Sequence, residues 1–186
     1  MPPRPWKTLS SRRVYENPWI KVREDIAELP DRKTTLYGVV EVGDAVGILP
    51  FLDANQVVLV RQYRYVFGEN QRWEMPTGGV VPGESFLEAA QRELHEEVGY
   101  QAGKLHYLHT FYSSKSVMYE IAHLYMGTDL ARVQALPEET EFLEIGVFPF
   151  EEVVKMVLRS EIRDVMTTVA VLLVDRIRQG GIKADG

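Results

Sequence analysis

Three glutamates stand close together near the middle of the chain, at a spacing that brings carboxylates together on a helix. They are Glu93, Glu96 and Glu97, within a stretch predicted to be helical from about Ser85 to Val98. At about 100° per residue, Glu93 and Glu97 lie about 40° apart and Glu96 about 60° further round, so the three side chains share one flank. Hard divalent cations prefer oxygen ligands, and magnesium binds through a few carboxylates together with substrate phosphates. The spacing therefore indicates a candidate metal site for phosphate chemistry.

The acidic flank also has a purely structural interpretation. Like charges four residues apart destabilise an isolated helix by roughly 0.2–0.5 kcal/mol for each pair, so Glu93 and Glu97 are unfavourable together unless a cation is present. Arg92 can offset part of the repulsion by pairing with Glu88 and Glu96, four residues away on either side. On this interpretation the flank is a solvated surface. The helix alone does not separate the two interpretations.

The helix is well delimited and has one face suited to a core. Pro82 and Gly83 precede it, and Gly99 suits the left-handed conformation that often follows a helix. The apolar residues on one stripe are Leu87, Ala90, Leu94 and Val98. We therefore expect this stripe to face a core, with the glutamates beside it.

The rest of the chain is predicted to contain strands on both sides of this helix and further helices near its end. Strands are predicted at Trp19–Arg23, Thr34–Val42, Val46–Leu52, Val57–Tyr65, Leu105–Tyr112, Tyr119–Met126 and Glu144–Phe148, and helices at Phe150–Arg159 and Asp164–Arg178. Residues 1–12 and 180–186 lack periodicity and are expected to be frayed. We expect an α/β domain at residues 43–180, a strand region at 1–42 and a flexible tail at 181–186.

Composition restricts the classes of function. The chain has 186 residues and a formal net charge of -6, which argues against a broad basic surface for nucleic acid. It contains no cysteine, so disulfides, zinc–thiolate sites and a thiol nucleophile are excluded. The start of the chain lacks a signal-peptide pattern, and the apolar run Val165–Val174 is too short to span a membrane. A cytoplasmic protein that binds a small molecule, not nucleic acid or membrane, is expected.

The sequence around the acidic helix resembles the Nudix box, G-x5-E-x7-R-E-U-x-E-E-x-G-U, in which U is a bulky aliphatic residue. The positions in register are Gly78, Glu84, Arg92, Glu93, Leu94, Glu96, Glu97 and Gly99. The last position departs from the pattern, because Tyr100 replaces an aliphatic residue. Eight matching positions in one short window favour the metal site over the solvated face.

The resemblance implies a Nudix-type α/β/α sandwich with a mixed β-sheet, to which a small N-terminal antiparallel sheet is added. It also implies that Mg²⁺ or Mn²⁺ is held on a diphosphate, where such a cation lowers the pKa of an attacking water. The residues that match metal ligands are Glu93, Glu97, Glu96, Glu84 and, through its backbone carbonyl, Thr77. Glu96 alternatively orients the water, and Arg92 matches the residue that fixes the glutamates.

Beyond the box, the chain resembles the ADP-ribose pyrophosphatase and nucleotide-sugar hydrolase branch of this family. Asn17–Val22 and Lys33–Tyr37 look like the N-terminal sheet of that branch, where aromatics at the places of Trp19 and Tyr37 sandwich the base across a homodimer interface. Offset stacking adds roughly 0.5–1.5 kcal/mol for each aromatic pair. Ordinary packing of both rings is the alternative.

Further residues match places where this branch contacts its substrate. Arg64 resembles a substrate-contacting arginine, whose planar fork suits a phosphate, unless it is a plain surface residue. Glu74 matches a polar contact or an outer metal ligand. In the acidic loop before the predicted strand Glu144–Phe148, Glu141 and then Glu139 match the place of a catalytic base outside the box, unless that loop is only solvated.

The resemblance predicts a metal-dependent hydrolase that breaks the pyrophosphate bond of a nucleoside diphosphate sugar. ADP-ribose is one candidate, but Phe111–Val117 lacks the proline that ADP-ribose enzymes often carry there, so sugars such as GDP-mannose stay open. A nucleoside-triphosphate sanitising hydrolase and a non-catalytic nucleotide-sugar sensor are the alternatives, although sensors typically have a degraded box. The isoprenoid diphosphate isomerases of this fold need a catalytic cysteine, which this chain lacks.

Overall fold

The computed structural model describes residues 5–70, 72–134 and 142–180. Its elements are β1 (Lys7–Glu16), β2 (Lys21–Glu28), β3 (Thr34–Pro50), β4 (Gln56–Arg61), β5 (Tyr63–Arg64), β6 (Glu69–Asn70), β7 (Thr77–Gly79), α1 (Phe86–Val98), β8 (Tyr100–Tyr112), β9 (Met118–Arg132), β10 (Glu144–Pro149), α2 (Phe150–Leu158) and α3 (Val165–Arg178). Two compact units are present, Met1–Gly43 with Tyr112–Ile121 and Asp44–Phe111 with Ala122–Gly186. Within the described ranges, no helix is both long and apolar enough to cross a membrane.

The first unit contains an antiparallel sheet of β1, β2 and the first part of β3. The hairpin between β2 and β3 closes at Arg32, which has a φ of 69° and donates its backbone N–H to the carbonyl of Leu29 at 2.9 Å. The ladder between β1 and β2 shifts register twice, between Thr8 and Ser10 and between Arg13 and Tyr15. β2 is therefore paired along both of its edges.

The expectation that residues 1–12 are frayed is wrong for residues 7–12, which lie in β1. All ten residues of β1 are exposed, so the strand has no buried face that would impose a hydrophobic alternation on the sequence. Its pairing with β2 is supported by an ion pair between Arg12 and Glu24, 2.5 Å apart. Backbone hydrogen bonds, which leave no sequence pattern, explain why the strand was missed.

The second unit contains the remainder of β3, which pairs antiparallel with β7, Ala45 lying opposite Gly79 and Gly47 opposite Thr77. Along the sheet the strands follow in the order β3, β9, β8. β4 and β10 form a separate antiparallel pair, and β5 and β6 a short hairpin. The sheet therefore brings β7, the strand just before the loop that leads to α1, alongside β3.

The two strands predicted at Thr34–Val42 and Val46–Leu52 form one continuous strand, β3. Gly43 lies between them with a φ of 110°, a conformation that L side chains rarely adopt. This conformation lets the strand continue through position 43.

Side chains along residues 46–51 and along β4 point alternately into two buried clusters. One cluster contains Leu49, Phe51, Val57 and Leu59 with Val153 of α2 and Ala170 and Val174 of α3. The other contains Val46, Ile48, Val58 and Val60 with Ala89, Ala90 and Leu94 of α1. Because successive side chains of a strand point to opposite faces, α1 covers one face and α2 with α3 the other. The α/β/α layering predicted from the sequence is confirmed.

The buried face of α1 differs from the predicted stripe. Leu87 is 52% exposed, and Ala89 is fully buried in its place. Glu93 and Glu97, expected at the border of the stripe, lie on the buried face. The helix is therefore rotated toward its acidic flank, which brings the glutamates against the sheet.

Candidate active site

Caps fix both ends of α1. The hydroxyl of Ser85 accepts the backbone N–H of Glu88 at 3.3 Å, and the carboxylate of Glu88 accepts the N–H of Ser85 at 2.8 Å. At the other end, Gly99 has a φ of 68° and donates its N–H to the carbonyl of His95. These bonds satisfy backbone groups that the ends of a helix leave without partners. Because Glu88 serves the cap, Arg92 pairs with Glu96 but not with Glu88.

Glu93 and Glu97 are buried, with 8% and 3% of their surface exposed, while Glu96 is half-buried. Burying a carboxylate is unfavourable unless hydrogen bonds or cations compensate its charge. A solvated acidic face would leave these side chains in water. The burial therefore argues against the structural interpretation of the acidic flank.

Gly78 makes room for one of these carboxylates. A Cβ atom at position 78 would lie 1.9 Å from Oε1 of Glu93, whereas at Gly79 it would enter open space. The neighbouring Thr77 donates its backbone N–H to Oε1 of Glu97 at 3.4 Å. Two adjacent positions of β7 thus contact the two buried glutamates, and a side chain at position 78 would displace one of them.

Arg92 connects the loop before α1 with the glutamates on the helix. Its Nε and Nη2 donate to the two carboxylate oxygens of Glu84, at 2.9 and 3.1 Å. Its Nη1 donates to Glu93 at 2.7 Å and to Glu96 at 3.0 Å, and its Nη2 also donates to the carbonyl of Gly79 at 2.9 Å. These hydrogen bonds, led by the one to Glu84, raise the pKa of the guanidinium, which stays charged.

The oxygen donors gathered here suit a hard divalent cation, and the glycine at position 78 keeps space beside the Glu93 carboxylate. Across the part of the chain that the structure describes, no three or more His, Asp or Glu side chains converge closely enough to form a complete metal site. Magnesium usually takes one or two carboxylates and completes its shell with waters and substrate phosphates. The residues present fit a cation bound in that way.

Arg64 and Glu74, both predicted to contact substrate, form an ion pair with each other. Glu74 is 4% exposed, and its backbone N–H and carbonyl both bond to Val60. Burial raises the pKa of Glu74, the charge of Arg64 opposes that shift, and Asp164 adds to it. The guanidinium has five N–H donors, so the contact with Glu74 orients it and leaves further N–H groups that can bind a phosphate.

Glu74 should make the stability of the protein depend on pH. When folding raises the pKa of a carboxyl group, the group adds to the free energy of unfolding below its unfolded pKa. This stability is lost as the pH rises through the folded pKa. We therefore expect Glu74→Gln to gain stability relative to the unchanged protein between about pH 4 and pH 7. Urea unfolding across this range measures the difference. Glu144→Gln, which removes the exposed carboxylate on Arg61, is the control, and a difference that stays flat or falls contradicts the expectation.

Thr167 supports the segment that enters the box, and sequence analysis missed it. Its fully buried hydroxyl accepts the N–H of Met75 at 3.0 Å and donates to the carboxylate of Asp164 at 2.6 Å. Asp164 also caps α3 by accepting the N–H of Thr167 at 2.7 Å. The spacing of Asp164 and Thr167 is a recognisable cap signal, but Met75 lies 92 residues away and carries no local sign of the contact.

The remaining predicted residues lie in the first unit or outside the described residues. Trp19 is 77% exposed, and the ring of Tyr37 meets that of Trp6 edge-on, with centroids 6.0 Å apart. A sandwich of Trp19 and Tyr37 across two chains stays a prediction. Glu139 and Glu141, the candidate bases outside the box, fall outside the described residues.

Comparison with known families shows to which family the chain with this site belongs. Residues 42–169 match the family model described as NUDIX domain. The chain belongs to the Nudix family. The part of this Nudix chain before that match, residues 6–40, matches a second model, described as nucleoside diphosphate sugar hydrolase N-terminal domain. The resemblance of the box and of the N-terminal residues is thereby confirmed.

Individual relatives are similar to this chain over most of its length. The Nudix chain is 31% identical over 179 residues to an ADP-ribose pyrophosphatase of Mycobacterium tuberculosis, covering 94% of this chain and 86% of the relative. It is 30% identical over 167 residues to a methanol dehydrogenase activator of Bacillus methanolicus, covering 89% and 90%. A crystal structure of an ADP compounds hydrolase superposes with a TM-score of 0.84 at 23% identity, over 96% of this chain and 98% of that one, and shows the same fold. The protein is a Nudix hydrolase, and such hydrolases generally depend on a divalent metal ion.

Proposed function

We propose that this Nudix hydrolase breaks the pyrophosphate bond of a nucleoside diphosphate sugar, of the ADP-ribose or GDP-mannose kind, and releases a nucleoside monophosphate and a sugar phosphate. The observation that carries the proposal is the burial of Glu93 and Glu97 against β7. Two carboxylates buried side by side on one helix suit a cation on a diphosphate. The substrate class is supported by the match of residues 6–40 and by the relative named as an ADP-ribose pyrophosphatase.

The residues of the box would hold the cation and keep its ligands in place. The proposed ligands of Mg²⁺ or Mn²⁺ are Glu93, Glu97, Glu96, Glu84 and the carbonyl of Thr77. When bound, the ion supplies charge neutralisation for the phosphate oxygens and a water of lowered pKa. Arg92 positions Glu93 and Glu96 through its hydrogen bonds. Both oxygens of Glu84 accept bonds from Arg92, so its larger role is to hold that guanidinium.

Two further tasks fall to residues around the box. Arg64, oriented by Glu74, would bind a phosphate of the substrate. A carboxylate must also take the proton of the attacking water, for which Glu96 is the candidate in the box and Glu141, then Glu139, outside it. The base is the residue whose change to Gln removes the acidic limb of the pH–rate profile, and a profile unchanged in all three variants would exclude them.

Product analysis tests the reaction directly. The metal-free protein is incubated with ADP-ribose, GDP-mannose and dGTP, each with and without Mg²⁺ or Mn²⁺, and products are identified by mass. The proposal expects metal-dependent formation of AMP with ribose phosphate, or of GMP with mannose phosphate. Faster hydrolysis of dGTP than of either sugar would support the sanitising alternative. Binding of a nucleotide sugar without any product would support the sensor.

Trp19 and Tyr37 are proposed to hold the base of the substrate. Changing either to Ala should raise KM severalfold and leave kcat nearly unchanged, because stacking on the base is equal in the ground and transition states. Tyr37→Phe keeps the ring but removes the hydroxyl that donates to the carbonyl of Ser116, so it separates stacking from this bond. Steady-state kinetics on the best substrate measure the effect. An unchanged KM in both Ala variants, with the fold intact, would remove the assignment.

We also propose a homodimer formed through the N-terminal strand region. Exposed apolar side chains at Trp6, Leu9, Val14 and Tyr15 accompany β1, and the resemblance implies a dimerising sheet there. Sedimentation velocity at micromolar concentration is expected to give twice the 21.3 kDa of the chain. A single species at the monomer mass contradicts the proposal.

A further inference from the structure

A cavity of about 330 Å³ lies in the second unit, on the face of the strands that α3 covers. Its apolar wall is formed by Phe51, Leu52, Leu108, Met126, Val174 and Ile177. None of the box glutamates lines it, and α1 packs on the opposite face of the strands. The volume falls in the range of pockets for small ligands. The cavity is therefore separate from the candidate active site.

Arg178 stands at the edge of this cavity with aromatic partners. Its guanidinium lies 4.3 Å from the ring centre of Phe51 and 4.6 Å from that of Phe150. Among the residues that the structure describes, it forms no hydrogen bond or ion pair. Burial lowers the pKa of this guanidinium, although Asp175 opposes the shift. Arg178 is exposed, and stacking on these two rings orients its guanidinium at the edge of the cavity, where an anion can reach its N–H groups.

The carboxylates in the same wall are already used by the chain. Asp53 accepts the backbone N–H groups of Asn55 at 2.7 Å and of Gln56 at 2.9 Å. Asp129 pairs with Lys104 at 2.9 Å. Both carboxylates therefore already have partners in the chain, whereas the guanidinium of Arg178, beside Asp175, forms no hydrogen bond or ion pair within the described residues.

We propose that this cavity binds a small amphipathic anion, a flat apolar body that carries one carboxylate or sulfonate. The anionic group would take the N–H donors of Arg178, and the apolar body would lie against Leu108 and Met126. A nucleoside diphosphate is disfavoured, because its several phosphate charges would meet one guanidinium, which matches a single carboxylate or sulfonate. The ligand class therefore differs from that of the proposed substrate.

Two matched probes test the proposal. Calorimetric titration of the full chain with 2-naphthoate and with its neutral counterpart 2-naphthamide should show about tenfold tighter binding of the acid, the contribution of a charge-assisted hydrogen bond. Arg178→Gln should reduce the affinity for naphthoate to that for the amide. Arg176→Gln is the control, because Arg176 is exposed on the same helix and does not line the cavity, and it should leave both affinities unchanged.

A second variant acts on the apolar wall. Ile177→Trp should fill the cavity and abolish binding of both probes while the circular dichroism spectrum stays that of the folded protein. Absence of naphthoate binding to the unchanged protein, equal affinity for the two probes, or equal losses in both arginine variants would overturn the proposal. Displacement of naphthoate by AMP at similar concentrations would assign the cavity to a nucleotide and would overturn it as well.

Discussion

Replacing Glu97 by Gln is expected to lower kcat by about 10²–10³-fold, or about 3–4 kcal/mol of activation free energy, without destabilising the metal-free protein. The change keeps the shape of a side chain that is 3% exposed and removes one of two like charges four residues apart. Relief of that repulsion should raise the free energy of unfolding by tenths of a kcal/mol. Glu93→Gln should lose activity in the same way, because both carboxylates are proposed to hold the cation.

Initial rates at increasing Mg²⁺ or Mn²⁺, with chemical unfolding of the metal-free variants, provide the measurement. Partial recovery at high metal concentration indicates that affinity has fallen, and a defect that persists at saturation indicates lost positioning. Glu88→Gln is the control, because Glu88 lies on the same helix but serves its cap, so it should lose some stability and keep its activity. Full metal-dependent turnover in both Glu97→Gln and Glu93→Gln would show that the metal assignment is wrong.

The change from Gly78 to Ala should damage both stability and activity although it adds a single methyl group. The new Cβ would lie 1.9 Å from Oε1 of Glu93, so the carboxylate or the strand must move. Overpacking of this kind destabilises by about 1–3 kcal/mol. A shift of about 1 Å in a group that positions the reaction lowers the rate by about 10²-fold.

The next residue supplies the comparison for this change. Gly79→Ala adds the same methyl group to open space on the same strand, and should leave kcat within about twofold and stability within about 0.5 kcal/mol. Steady-state rates and denaturant midpoints are measured for both glycine variants and compared. Similar behaviour of the two variants would mean that contact between Gly78 and Glu93 does not position the carboxylate.

The sequence predicted best those features that depend on residues close together in the chain. The limits of α1 followed from its flanking glycines, and the grouping of Glu93, Glu96 and Glu97 on one flank followed from their spacing alone. Their burial did not follow, because it depends on which face of α1 meets β7, and Leu87 suggested a different rotation. Helical periodicity assigns apolar residues to a core but does not reveal a carboxylate that a glycine of a neighbouring strand accommodates.

Contacts between segments far apart in the chain could not be predicted from the sequence. Arg64 and Glu74 were both selected as substrate contacts, yet nothing in the sequence indicated that they bind each other. The bond from Met75 to Thr167 joins residues 92 positions apart. Such pairs depend on how the strands and helices pack, and one polar side chain does not specify its partner in the chain.

The outermost strand of the N-terminal sheet has a consequence for how the protein behaves at high concentration. β1 follows β2 at the end of the strand order, and an edge strand offers backbone groups to which any extended chain can add. Its two register shifts interrupt the regular ladder, and Lys7, Arg12 and Arg13 place positive charge along it. Irregular pairing and cationic side chains are common protections against indiscriminate strand addition. We therefore expect this edge to resist indiscriminate strand addition, while its exposed apolar side chains leave it open to a partner of matching shape.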